Sequence, residues 1–108
     1  MNADGWLVNG TPDNTLPYLL ADEGYDVFVG NYRGVEDYSS HETYDSNSQE
    51  FWDFTFVEQA KFDLPALVTK AMDVSGVYDL SLLASTSGTM KVFTALAQDP
   101  NFYDNKVN

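Results

Sequence analysis

The pattern of apolar and polar positions divides this chain into segments of different period. Leu16 to Asp22 (LPYLLAD) puts its apolar side chains on one helical face and runs into Glu23-Gly24, which predicts a helix closed by a glycine C-cap. Tyr25 to Val29 (YDVFV) reads as a short buried strand stopped by Gly30-Asn31. From Arg33 to Gln49 neither period holds. Ser, Asp, Glu and Tyr dominate there, and a long surface loop is expected, of the kind that is often functional. Phe51 to Val74 is the longest periodic stretch, with Phe54, Val57, Ala60 or Lys61, Leu64, Leu67, Val68 and Ala71 near one face. Asp63-Leu64-Pro65 predicts a kink or restart in that helix, and Ser75-Gly76 its end. Val77 to Ala84 then predicts a second strand, and Gly88 to Gln98 a last helix stopped by Asp99-Pro100.

The order helix, strand, loop, helix, strand, helix predicts an α/β fold. Both strands would lie in one parallel sheet, with the long helix as a right-handed crossover. A parallel pair leaves edges and faces uncovered, so a portion of a larger sheet is expected, with association through exposed sheet edges. At 108 residues, one domain spanning 1–108 with one modest core is expected.

Composition narrows the partners more than the fold. Hydrophobic residues at 44% and aromatics at 15% mark a globular chain rather than a disordered one. The net charge of −12, from 17 acidic and 5 basic side chains, repels phosphate backbones and makes nucleic acid an unexpected partner. Solubility is the plain account of that charge. Without cysteine there is no disulfide framework and no thiolate chemistry. No basic segment followed by an apolar one opens the chain, and no apolar run approaches the roughly 18 residues of a membrane span. Asn9-Gly10-Thr11 is a glycosylation sequon, which matters only in a secreted protein.

One turn carries candidate chemistry. Val77 to Ala84 runs into Ser85-Thr86-Ser87-Gly88 and a helix follows, the context of the nucleophile elbow G-x-S-x-G of serine hydrolases. In that register Ala84 stands at the first glycine, Thr86 at the nucleophile and Gly88 at the last glycine. Beyond the elbow, the blocks DGWLVNG, LPYLLADEGYDVFVGNYRG, YSSHETY, EFWDFTFVEQAKFDLPALV and SGTMKVFTALAQDPNFYDNKV cover nearly the whole chain. In order and spacing they resemble the acid lipase family, the α/β-hydrolase lipases that include gastric and lysosomal acid lipases and insect relatives.

The resemblance implies a lipid ester hydrolase (triacylglycerol or steryl ester), no cofactor, and a lysosomal or secreted location. It implies a portion of an α/β-hydrolase domain with strand, elbow and helix near its C-terminal end. The family elbow G-H-S-Q-G falls on Ala84, Ser85, Thr86, Ser87 and Gly88, so Thr86 takes the nucleophile position and the Ser87 backbone N–H an oxyanion donor position. The family's His-Gly-Leu oxyanion block would precede Met1, and its triad aspartate and histidine would follow Asn108. The chain is thus expected to be the middle of the N-terminal half of a catalytic domain, inactive by itself.

Each residue has a plainer reading beside the functional one. An elbow serine needs an imidazole to take its proton and backbone amides to hold the oxyanion. Threonine fits that turn badly, because β-branched residues resist positive φ and the methyl crowds an approaching carbonyl. Ser85 and Ser87 sit one residue out of register and read as decoys. His41, the single histidine, falls on a polar loop histidine of the family and reads as a structural loop residue rather than a base. Arg33 reads as a structural guanidinium, buried or half-buried, pairing Asp53 or Asp63. Trp6, Trp52, Phe51 and Phe54 could line an acyl pocket, though such aromatics are more often core. Asp22/Glu23 and Glu36/Asp37 are sequential rather than facing, so no metal site is expected. Two functions follow: an ester hydrolase of acid lipase type, or a non-catalytic lipase-like remnant serving as a binding or structural element.

Overall fold

Chain termination chemistry, more than strand pairing, sets the local structure. A computed structural model of the chain describes residues 3–8, 10–35 and 39–108. The sequon residue Asn9 and the pair Glu36/Asp37 lie outside the described residues. The backbone divides into two compact units, Met1–Tyr38 and Ser39–Asn108.

In the first unit a short 3-10 helix, Ala3–Trp6, precedes α1, Leu16–Asp22. Pro17 opens α1 where a missing N–H costs nothing, and it is buried together with Thr15. The helix closes as the sequence predicts. Gly24 takes φ 92°, its N–H bonds to Ala21 O at 3.0 Å, and Tyr25 N–H bonds to Leu20 O at 3.1 Å. These are the two bonds of a Schellman cap, which only glycine adopts without strain.

The second unit is a helical assembly. The loop leads through a 3-10 turn, Glu50–Trp52, to α2, Phe56–Glu58. Thr55 and Glu58 form a capping box: Val57 N–H donates to Thr55 Oγ1 at 3.1 Å and Thr55 N–H to Glu58 Oε2 at 2.7 Å. The helix then widens into a π segment, Gln59–Asp63, and resumes as α3, Leu64–Ser75. That is the predicted restart, and Pro65 explains it. Proline lacks the N–H for the next helical bond and its ring presses on the carbonyl four residues back. Gly76 ends α3 at φ 74°. After Thr86 come α4, Ser87–Gln98, and α5, Pro100–Tyr103, whose N-cap Asp99 accepts from Phe102 N–H at 3.1 Å. Asp99-Pro100 therefore starts another helix as well as stopping α4. Ala60, Leu64, Val68 and Ala71 form one buried stripe, and Ala95 and Tyr103 are the buried residues of α4 and α5.

The α/β expectation is overturned. Among the described residues the structure is 49% helix and 2% strand with no sheet, which does not match a parallel-strand α/β fold. Tyr25–Val29 and Val77–Ala84 run without regular strand structure. Among the described residues the isolated bridge is a parallel one between Leu80 and Val107, closed by Leu80 N–H to Lys106 O at 2.8 Å and Asn108 N–H to Leu80 O at 3.0 Å. A strand exists only through its ladder partners, and among the described residues these two segments find none beyond that single bridge. Their side chains are correspondingly exposed, Tyr25 at 66%, Tyr78 at 88% and Leu83 at 61%, where buried strands were expected. The crossover and the association through sheet edges fall with the sheet.

Candidate functional site

The elbow begins where Val77–Ala84 gives way to α4. Gly88 N–H donates to Ser85 O at 2.9 Å and Thr89 N–H to Thr86 O at 3.2 Å, which folds Ser85 to Gly88 into a tight turn. Thr86 is the N-cap of α4, at φ 54° and ψ −124°, and its side chain makes no capping bond. Among the described non-glycine residues only Thr86 and Asn105 have positive φ. Asparagine is at ease there; a β-branched residue is a genuine outlier. Such backbone outliers cluster at active sites, where the surrounding structure holds a side chain in a fixed direction. Ser85, Thr86 and Ser87 are all exposed.

Ser87 is the first residue of α4, so its N–H belongs to the donors that a helix leaves without an intrahelical acceptor. A Cβ added at Gly88 would lie 3.8 Å from that of Ala84, an ordinary contact. Ala84 therefore leaves ordinary room at Gly88. Lys91, the cation of α4, has its pKa lowered by burial, with Asp63 acting in the opposite direction.

The other sequence-predicted residues have different surroundings. His41 Nδ1 accepts from the N–H groups of Thr43 (3.0 Å) and Tyr44 (3.1 Å). Its ring stacks on Tyr44, with centroids 4.7 Å apart, and meets the edge of Phe51 at 6.4 Å. The histidine is a loop-organising residue, as its sequence context suggests. Arg33 is exposed, against the expected burial, and precedes Gly34 at φ 79°. Phe51 is core at 8% exposure, while Trp52 is exposed and donates its indole N–H to Ser46 O at 2.7 Å. These aromatics tie the loop down. Among the described residues no three His, Cys, Asp or Glu side chains group as metal ligands, and no helix is long and apolar enough to cross a membrane.

Sequence reasoning missed one concavity. A cleft of about 500 Å³ is lined by Ala60, Phe62, Pro65, Ala95, Phe102 and Tyr103, with Lys61 at its wall. It sits at the C-terminal half of α4, away from the elbow at the N-terminus. The apolar residues at 62 and 102 were the signal: Phe62 falls off the face read for the long helix, and Phe102 lies beyond the predicted end of the last one.

Sequence comparison decides the kinship. The chain is 34% identical over 106 residues to lipase lipl-1 of Caenorhabditis elegans, covering 98% of this chain and 26% of that protein. It is 38% identical over 99 residues to lipase member K of Mus musculus, covering 92% and 25%. The chain is related to the acid lipase family. Gastric triacylglycerol lipase of Rattus norvegicus agrees, at 37% over 99 residues, covering 92% of this chain and 25% of that enzyme. No family model matches the chain. This acid lipase relative spans about a quarter of the length of the curated relatives it matches.

Proposed function

We propose that residues 1–108 are the elbow-bearing part of a lipase-like domain, related to lipid ester hydrolases, in which ester hydrolysis is lost at the nucleophile position. The observation that carries this reading is Thr86. It occupies the nucleophile register at the strained head of α4, with a secondary hydroxyl and a methyl where the elbow chemistry uses a primary hydroxyl. The methyl stands in the path of an incoming carbonyl, and β-branching restricts the rotamers that could present Oγ1. The Ser87 N–H remains suited to an oxyanion, but a donor without a working nucleophile binds rather than turns over. Within these 108 residues the single histidine accepts two loop amides through Nδ1, which commits its ring to the loop. The role left is a binding or structural one toward a lipid ester.

A short-chain p-nitrophenyl ester tests this with the wild-type chain, Thr86→Ser and His41→Ala assayed together. All three are expected at background, because within these 108 residues the single histidine is tied to its loop and leaves even a restored serine without a base. Turnover by the wild type and Thr86→Ser that vanishes in His41→Ala would assign the base to His41 and overturn the proposal. Turnover in Thr86→Ser alone would place the whole defect in the threonine.

A further inference from the structure

The loop between Ser39 and Gln49 is built from two side-chain-closed turns of opposite protonation chemistry. In the first, one imidazole nitrogen, His41 Nδ1, accepts the N–H groups of both Thr43 and Tyr44. In the second, Asp45 Oδ1 accepts the backbone N–H and the side-chain amide of Asn47, each at 2.8 Å. We propose that the turn at residues 41–44 is an acid-released latch, which opens when the His41 imidazole takes up a proton while the adjoining Asp45–Asn47 turn stays closed.

The argument is one of donor and acceptor inventory. Neutral imidazole offers one acceptor nitrogen, and here it faces two amide donors. Imidazolium carries a proton on both nitrogens and offers no acceptor. Flipping the ring restores nothing, because either nitrogen would then aim an N–H at the two amides. Histidine is also the side chain whose charge ordinarily changes between about pH 5 and 8. The Asp45 turn behaves differently. The backbone and side-chain hydrogen bonds from Asn47 hold its carboxyl below the usual 3.8. Its folded pKa being depressed, the turn is fully closed above that ordinary value and is lost only as pH falls through the lowered one. Mild acid therefore separates the two turns.

The contacts of the His41 ring are with aromatic rings and backbone N–H groups. From its own loop it meets the ring of Tyr44, and from the Glu50–Trp52 turn the ring of Phe51. The adjoining carboxylates are Glu42 on the loop and Glu50 beside Phe51, both exposed. Asp45 is engaged with Asn47. Opening the latch frees the stacked imidazole and Tyr44 rings to move, and takes the imidazole from the edge of Phe51, which stays anchored in the core at 8% exposure. The outcome is an acid-dependent change in the aromatic surface of the loop, with the helical core intact.

Amide correlation spectra of the isotopically labelled 108-residue chain, recorded from pH 8 to 4.5, test the proposal. The Thr43 and Tyr44 amides should move with one midpoint, shared with the His41 ring protons, while Asn47 stays in place. Their hydrogen-exchange protection, corrected for intrinsic rates, should fall about tenfold across that midpoint. His41→Asn keeps a non-titrating acceptor and should hold both amides constant; His41→Ala should show the open positions at every pH. Thr43 and Tyr44 amides that stay put while the ring titrates would overturn the latch. So would the same movement in His41→Asn, or a shift of Asn47 and the helical amides at the same midpoint.

Discussion

Replacing Thr86 by glycine should make this chain more stable, although it deletes a side chain from a helix N-cap. Threonine at φ 54° and ψ −124° holds a conformation that costs on the order of 1–3 kcal/mol for a non-glycine residue. Nothing of comparable size is lost with the side chain, because Thr86 is exposed and makes no capping bond. The opposing term is the backbone freedom that glycine adds to the unfolded chain, roughly 0.5–1 kcal/mol. The difference favours the variant by about 1 kcal/mol, which for a unit of this size raises Tm by about 4–8 °C. Thermal unfolding followed by far-ultraviolet circular dichroism measures it. Asn105→Gly is the internal control: its φ of 62° is one that asparagine tolerates, so its shift should be the smaller. A Thr86→Gly melt at or below the wild-type temperature would refute the strain at the elbow.

Other expectations address the packing and the ends of helices. Val68→Ala should cost about 2 kcal/mol in urea unfolding, since the side chain is 1% exposed and leaves a void between helices. Gly76→Ala should cost about 1 kcal/mol with no steric component, because nothing lies within 4 Å of the added Cβ and only the φ of 74° resists it. Thr55→Ala should lose about 1 kcal/mol by removing one half of the capping box, and an unchanged melt would show that α2 is nucleated by packing instead. Asp45→Asn should loosen the turn to Asn47 at neutral pH and remove its dependence on acid below the ordinary carboxylate range, read from the Asn47 amide shift.

What the sequence made legible was whatever depends on neighbours in the chain. The limits of α1 match because a proline start and a glycine stop act within a turn of the helix they bound. The restart before Leu64 was readable for the same reason, Pro65 being its local cause. The strands were not. Tyr25–Val29 and Val77–Ala84 have strand-like side chains, but a strand is a relation between two segments, and apolar character alone does not supply the second one. The exposure of Arg33 was not legible either, because burial depends on residues distant in the chain. The elbow was legible as a turn of small residues, and the register that puts Thr86 at the nucleophile position already implied the positive φ that a threonine resists.

The widened turn before α3 gives the chain an asymmetric tolerance to gain and loss of residues. Leu64 N–H reaches back five residues to Gln59 O, so the segment Gln59–Asp63 holds one more residue than a regular helical turn needs. Removing one of the exposed pair Lys61 or Phe62 should return the backbone to the ordinary repeat, leaving α3 and its face of Leu64, Val68 and Ala71 in phase with each other. The same deletion inside α3 would turn every later side chain by about 100° and take that face out of the core. Pro65 sets the condition. A regular turn brings its ring against the carbonyl of the residue four before it, so the shortened helix needs alanine at position 65. Length variation in this region should therefore come paired with the loss of that proline.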